Sequence, residues 1–141
     1  MKRLSAKPTV YLIDGSNCSM RGWDRAGGAL RDGLDGEFIR WLEAVARAEA
    51  LRASSFRVVF DGPCRRAGPP APSITIYYSD SEPADELLME RGCFMQQQGV
   101  RAVIVTSDNG LRDRARAEGV MTLTCETFQA LASAELRKES R

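Results

Sequence analysis

The chain has 141 residues, of which 43% are hydrophobic and 28% charged, and this composition is typical of one globular domain rather than a disordered chain or a membrane span. Its formal net charge of +1 excludes a strong overall attraction to nucleic acid, so a polyanionic partner would need a local basic patch. The absence of histidine excludes Ser-His-Asp and Cys-His catalysis and the commonest zinc ligand.

Strand and helix patterns alternate in the first half of the chain. An apolar strand over about 9–13 is followed by a Gly- and Arg-rich loop over 21–36, and apolar residues at helical spacing predict a helix over about 37–52. "FRVVFDG" predicts a second strand, and the prolines and glycines of "PCRRAGPPAPS" predict a loop. "ITIYYS" predicts a third strand.

The alternation continues to the end of the chain. Pro83 suits the first turn of a helix that ends near Gln98. "AVIVTSDNG" and "VMTLT" predict two more strands around a short helix, and a last helix precedes a charged tail over about 137–141. Because the strands are continuous apolar runs, we predict an α/β fold in a single domain over 1–141. Its mostly parallel sheet of about five strands is covered by helices on both faces, which makes three layers.

The cysteines and the N-terminal segment bear on the compartment. The four cysteines, Cys18, Cys64, Cys93 and Cys125, include no Cys-x-x-Cys pair, so we expect reduced and mostly packed thiols rather than a zinc or dithiol site. The first ten residues lack the apolar stretch of a secretory signal. These features predict a cytoplasmic protein without membrane attachment.

Three predicted strands end in an aspartate. Asp14, Asp61 and Asp108 follow the apolar runs of the first, second and fourth strands, and "SDSEPADE" adds acidic residues before a helix. Taken alone, each aspartate could be a helix cap or a turn former. The carboxyl ends of parallel strands share one edge, however, and that edge is where ligands bind. We therefore expect the three acids to converge.

A cluster of carboxylates without histidine or cysteine suits a hard cation. Close carboxylates repel one another, so the cluster is stable only if it shares protons or binds cations. All-oxygen ligands favour Mg²⁺ or Mn²⁺, which can acidify water and stabilise charge on a phosphoryl oxygen. Asn17, three residues after Asp14, could orient a carboxylate or hold a phosphate.

At these residues the sequence resembles the YacP-like branch of the NYN group in the PIN-domain nuclease superfamily. The matching stretches are "YLIDGSN", "VVFDG", "YYSDSEPADELL" and "VTSDNGLRDRARAEGV", which cover nearly the whole chain in the family's order. The resemblance implies a PIN-like fold and a metal-dependent ribonuclease.

The resemblance also implies roles for individual residues. It places Asp14, Asp85 and Asp108 in an acidic metal-binding core, with Asn17 beside them. Asp61 and Glu82 match positions near that core, and their direct ligation is left open. Ser16 lies at the substrate-facing first turn, where the family usually carries an aromatic residue. Asp113, one helical turn past Asp108, is either a fourth acid or an exposed surface residue.

Basic residues in two loops predict a path for single-stranded RNA. Arg65 and Arg66 follow the second acidic strand end, and Trp23 in the earlier loop could stack on a base. The arginines of the later helices, such as Arg112, are predicted to be surface charge.

Three functions remain open at this point. The first is an endoribonuclease that uses Mg²⁺ or Mn²⁺ on RNA, either single-stranded RNA or ribosome-associated mRNA. The second is an RNA-binding or ribosome-associated module with little or no turnover. A structure-specific DNA nuclease is chemically possible, but no extra segment is present to clamp duplex DNA.

Overall fold

The computed structural model describes residues 3–20, 31–62 and 70–139. These ranges contain five strands and five α-helices, with a short 3₁₀ turn at Glu49–Leu51. In chain order the elements are β1 Val10–Asp14, α1 Gly15–Met20, α2 Arg31–Ala46, β2 Ser55–Phe60, β3 Ile74–Tyr78, α3 Ala84–Gln97, β4 Ala102–Val105, α4 Asn109–Ala117, β5 Met121–Leu123 and α5 Cys125–Glu139.

The five strands form one parallel sheet in the order β3-β2-β1-β4-β5. β1 is the central strand, with Ile13 opposite Val58 of β2 on one side and Val105 of β4 on the other. Because β1 is flanked on both sides and covered on both faces, its apolar run is continuous rather than alternating. The predicted α/β class and the strand number are confirmed.

Two apolar cores lie on opposite faces of the sheet. On one face, α2 and α5 pack Phe38, Leu42 and Phe128 against the strands. On the other face, α3 and α4 supply Leu88 and Leu111. The helices therefore form one layer on each face of the sheet, and the carboxyl ends of the strands lie between these two layers.

Three helices differ from the predictions. Residues 15–20 form α1 rather than a turn, because the Asp14 side chain accepts from the Asn17 N–H and so caps the new helix. The predicted helix over 37–52 was wrong at both ends, since α2 spans Arg31–Ala46. The polar first turn of α2 lacks helical periodicity, so the sequence did not reveal it. In the structure, buried Asp35 accepts a hydrogen bond from the Ser19 hydroxyl at 2.7 Å, which links the start of α2 to α1. The last helix extends to Glu139, into the predicted charged tail.

None of the helices in the described ranges combines the length and the apolar character needed to cross a membrane.

Candidate functional site at the carboxyl edge of the sheet

Asp14 is the centre of the site. It ends β1 and is only 8% exposed. Its Oδ1 accepts from the Asn17 N–H at 3.3 Å, and its Oδ2 accepts from the Thr106 hydroxyl at 2.9 Å. The carboxylate is therefore held from two directions, by the start of α1 and by the segment that follows β4.

The environment of Asp14 disfavours its charged form. The pKa of Asp14 is raised from 3.8 to about 6, chiefly by burial and to a smaller extent by the charges of Asp61 and Asp108, while the hydrogen bonds from Thr106 and Asn17 oppose the shift. The loss of hydration on burial destabilises the charged carboxylate by more than its two hydrogen bonds stabilise it. A cation at this position would relieve both the desolvation and the repulsion.

Asp61 and Asp108 lie in the turns that follow β2 and β4. The Asp61 Oδ1 accepts from the Ala84 N–H at 3.3 Å, at the start of α3. The Asp108 Oδ1 accepts from the Leu111 N–H at 3.0 Å and caps α4. Both residues are exposed. Both alternatives considered from the sequence therefore apply: each strand-end aspartate accepts a hydrogen bond from the backbone at the start of a helix, and the charges of Asp61 and Asp108 act on Asp14.

The other predicted acids have different surroundings. Asp85 is half-buried in the first turn of α3, and its charge contributes to raising the pKa of Arg114. Glu82 is exposed just before α3, and Asp113 is exposed with its carboxylate 3.7 Å from Arg116. Over residues 3–20, 31–62 and 70–139, no three His, Cys, Asp or Glu side chains are grouped so that they could hold a metal ion. The assignment of Asp14, Asp85 and Asp108 to one cation stays a prediction.

Asn17 and Ser16 join segments of the site. The Asn17 Oδ1 accepts from the Ser107 N–H at 2.9 Å, which ties α1 to the turn before α4. Ser16 is buried, and its hydroxyl accepts from the Asp61 N–H at 2.9 Å. Ser16 therefore positions Asp61, which is a structural role distinct from the substrate contact predicted for it.

A disulfide lies next to Asn17. Cys18 and Cys125 are bonded, with their Cα atoms 5.2 Å apart, although 107 positions separate them in sequence. The prediction that all four cysteines are reduced thiols was therefore wrong for this pair, because the fold brings α1 against the start of α5. The Cys125 Sγ is also 3.2 Å from the Asn17 Oδ1.

The family model for the YacP-like NYN domain matches residues 11–140. The chain belongs to this family. Its members are nuclease-type domains. No curated protein sequence matches the chain.

Solved structures agree with the family at the level of the fold. The crystal structure of Rae1 (YacP) from Bacillus subtilis matches with a TM-score of 0.73 and 14% identity, and the alignment covers 94% of this chain and 78% of that one. A single-substitution variant of the same protein matches with a TM-score of 0.72, 14% identity, and coverage of 92% and 77%.

This YacP-like NYN domain also has site residues that the sequence did not single out. Thr106 bridges two of the acids, since its hydroxyl donates to Asp14 and accepts from the Asp108 N–H at 3.2 Å. Arg112 is half-buried, and its Nε is buried without a hydrogen-bond partner in the described ranges. Its prediction as surface charge was therefore wrong. The only available signal was its spacing, one helical turn after Asp108.

The predicted RNA-contacting residues Arg65, Arg66 and Trp23 lie outside the described residues, and their role stays a prediction.

Proposed function

We propose that this chain is a metal-dependent endoribonuclease that hydrolyses RNA phosphodiester bonds. The observation that carries the proposal is a buried Asp14 at the carboxyl edge of the sheet, with a pKa raised to about 6 and with the charges of Asp61 and Asp108 acting on it. A buried carboxylate whose charge is repelled by two others is costly for stability alone, and such costs concentrate at functional sites. Membership in a family of nuclease-type domains supports the same conclusion.

A hard divalent cation suits these donors. Mg²⁺ is usually held by one or two carboxylates together with waters and substrate phosphates, rather than by a complete cage of protein ligands. Asp14 and Asp108 would hold it in this way, which is consistent with the lack of a three-ligand group in the described residues. When bound, Mg²⁺ or Mn²⁺ would neutralise phosphate charge and make water a better nucleophile.

The side chains of the site would have separate tasks. Thr106 and the Asn17 N–H would keep the Asp14 carboxylate in one orientation through their hydrogen bonds. The Asn17 Nδ2 forms no hydrogen bond in the described ranges and would be available to a phosphate oxygen. The buried Nε of Arg112, which also lacks a partner there, is a second donor of the kind that an anion would satisfy.

One observation favours a second function. The carboxylates of the described residues do not form a preassembled three-ligand group, so an RNA-binding or ribosome-associated module with little turnover is the alternative. Such a module would need the basic residues but not the acids.

Cleavage assays on matched variants would separate the two functions. Purified protein would be incubated with labelled single-stranded RNA or DNA in Mg²⁺, Mn²⁺ or EDTA. Asp14→Asn and Asp108→Asn should abolish cleavage, and asparagine at 108 preserves the cap of α4 because it is itself a strong helix cap. Asp113→Asn is the matched control, since it removes an exposed acid from the same helix.

We expect metal-dependent cleavage of RNA by the wild type and by Asp113→Asn only. RNA binding without cleavage in any cation would refute the enzyme proposal and favour the binding module. Equal cleavage of DNA and RNA would refute the substrate class.

A further inference from the structure

A groove lies on the sheet face that carries α3, apart from the acidic site. We call it the α3 groove and define it by Arg57, Val59, Tyr77, Leu87, Leu88 and Arg91. It forms because α3 crosses the middle of the sheet and packs on β1 and β4, while the β2 and β3 side of this face is less covered. Its lining is mainly apolar.

Two exposed aromatic rings lie on the elements that form the groove: Tyr77 lines it, and Phe94 lies farther along α3. Tyr77 on edge strand β3 is 40% exposed, and Phe94 on α3 is 56% exposed. Phe94 follows Leu87 by seven residues and Arg91 by three, so it continues the same stripe of the helix surface. Exposed rings of this kind offer faces on which nucleic-acid bases can stack.

The groove carries positive charge that no ion pair among the described residues neutralises. Arg57 and Arg91 contribute from opposite walls, and neither forms an ion pair within the part of the chain that the structure describes. Arg114, by contrast, pairs with Glu86 at 3.0 Å on the exposed surface of α3 and α4. Two unpaired guanidinium groups beside exposed rings complement a polyanion that has flat bases.

The position of the groove connects it to the acidic site. Tyr77 is paired with Val59 one residue before β2 and β3 end, and Asp61 follows β2 directly. From the start of α3 to Phe94 the helix extends about 15 Å. A strand that leaves the carboxyl edge could therefore follow α3 along the groove.

We propose that the α3 groove binds a segment of single-stranded RNA, with phosphates on Arg57 and Arg91 and bases stacked on Tyr77 and Phe94. The inference rests on the proposed function in that it takes the substrate to be RNA. Base stacking on aromatic rings tolerates any sequence, so the groove adds affinity rather than base specificity.

Binding would be measured by fluorescence anisotropy of a labelled single-stranded RNA across a salt series. EDTA and an Asp14→Asn background would keep the RNA intact during the measurement. Arg57→Ala with Arg91→Ala should reduce the slope of log K against log salt by about 1.4, since each lost phosphate contact on a single strand removes about 0.7. The matched control is Arg47→Ala with Arg137→Ala, which removes the same charge from exposed positions outside the groove.

The stacking contact has its own pair of variants. Tyr77→Ser should weaken RNA binding about ten-fold, and Tyr77→Phe should retain it, because phenylalanine keeps the ring. Arg91→Ala alone covers the case in which loss of Arg57 disturbs β2, since Arg91 is exposed on α3. Circular dichroism and thermal melts would verify folding of each variant.

With Asp14 restored, groove variants should cleave saturating RNA at the wild-type rate but require more RNA to reach half of that rate. The groove proposal is overturned if the groove variants and the control variants bind RNA alike, even when the wild type cleaves RNA. If the wild type cleaves RNA but binds it through surfaces outside the groove, the groove proposal fails and the proposed function stands. Failure of the wild type to bind any RNA would overturn both.

Discussion

Replacing Asp14 with asparagine separates the structural role of this residue from its chemical role. The two side chains have almost the same shape, so the packing at the end of β1 should survive. The Asn17 N–H would still find an acceptor in the side-chain oxygen at 14. The Thr106 hydroxyl can accept from an amide as readily as it donates to a carboxylate. The substitution therefore removes mainly the charge.

The size of the expected change in the free energy of unfolding follows from the pKa of Asp14. Its folded-state pKa of about 6 lies above the unperturbed 3.8, so the folded state binds the proton more tightly than the unfolded state. The stability that this proton contributes is fully present below pH 3.8 and is lost as the pH rises through 6. Between pH 4 and pH 7.5 the loss amounts to roughly 2–3 kcal/mol, and Asp14→Asn should not show it.

The assay is urea denaturation of both proteins at a series of pH values without added metal. The free energy of unfolding of Asp14→Asn, relative to wild type, should rise by roughly 2–3 kcal/mol from pH 4 to pH 7.5. Titrating groups far from the site contribute equally to both proteins, so the difference isolates residue 14 together with its interactions with the neighbouring carboxylates. Adding Mn²⁺ at pH 7.5 should stabilise the wild type by mass action and the variant much less.

Parallel pH curves for the two proteins would refute the claim that Asp14 has a raised pKa. A variant that cleaves RNA at the wild-type rate would show that Asp14 only caps α1. Cleavage by the wild type should also rise with pH as Asp14 loses its proton near pH 6, and cation binding should shift that rise to lower pH because the cation competes with the proton.

Two further predictions concern the framework around the site. Gly15→Ala should destabilise the protein by about 1–3 kcal/mol in urea denaturation, because a Cβ there would lie 2.7 Å from side-chain atoms of Phe60 and Val58; an unchanged midpoint would mean that this contact is loosely packed. The disulfide should protect Cys18 and Cys125 from alkylation in the denatured, unreduced protein, and its reduction should lower stability by roughly 2–4 kcal/mol. Alkylation of both residues before reduction would contradict the bond.

The fold and the strand ends follow from local features of the sequence. Continuous apolar runs between helical patterns can be satisfied only by a parallel sheet with both faces covered, and that is the fold observed. Because all strands run the same way, their carboxyl ends share an edge. The effect of the Asp61 and Asp108 charges on Asp14 could therefore be expected from the positions of these residues at strand ends.

The tertiary structure decided what depends on contacts between distant segments. No periodicity marks residues 15–20 as a helix, and α1 exists because Asp14 caps it and the core accepts Cys18. The bond between Cys18 and Cys125 likewise depends on the packing of α1 against α5, and no spacing rule encodes it. The same holds for the burial of the Arg112 Nε and for the α3 groove. A residue's sequence neighbours set its local conformation, whereas its burial, partners and pKa are set by the segments that the fold packs against it.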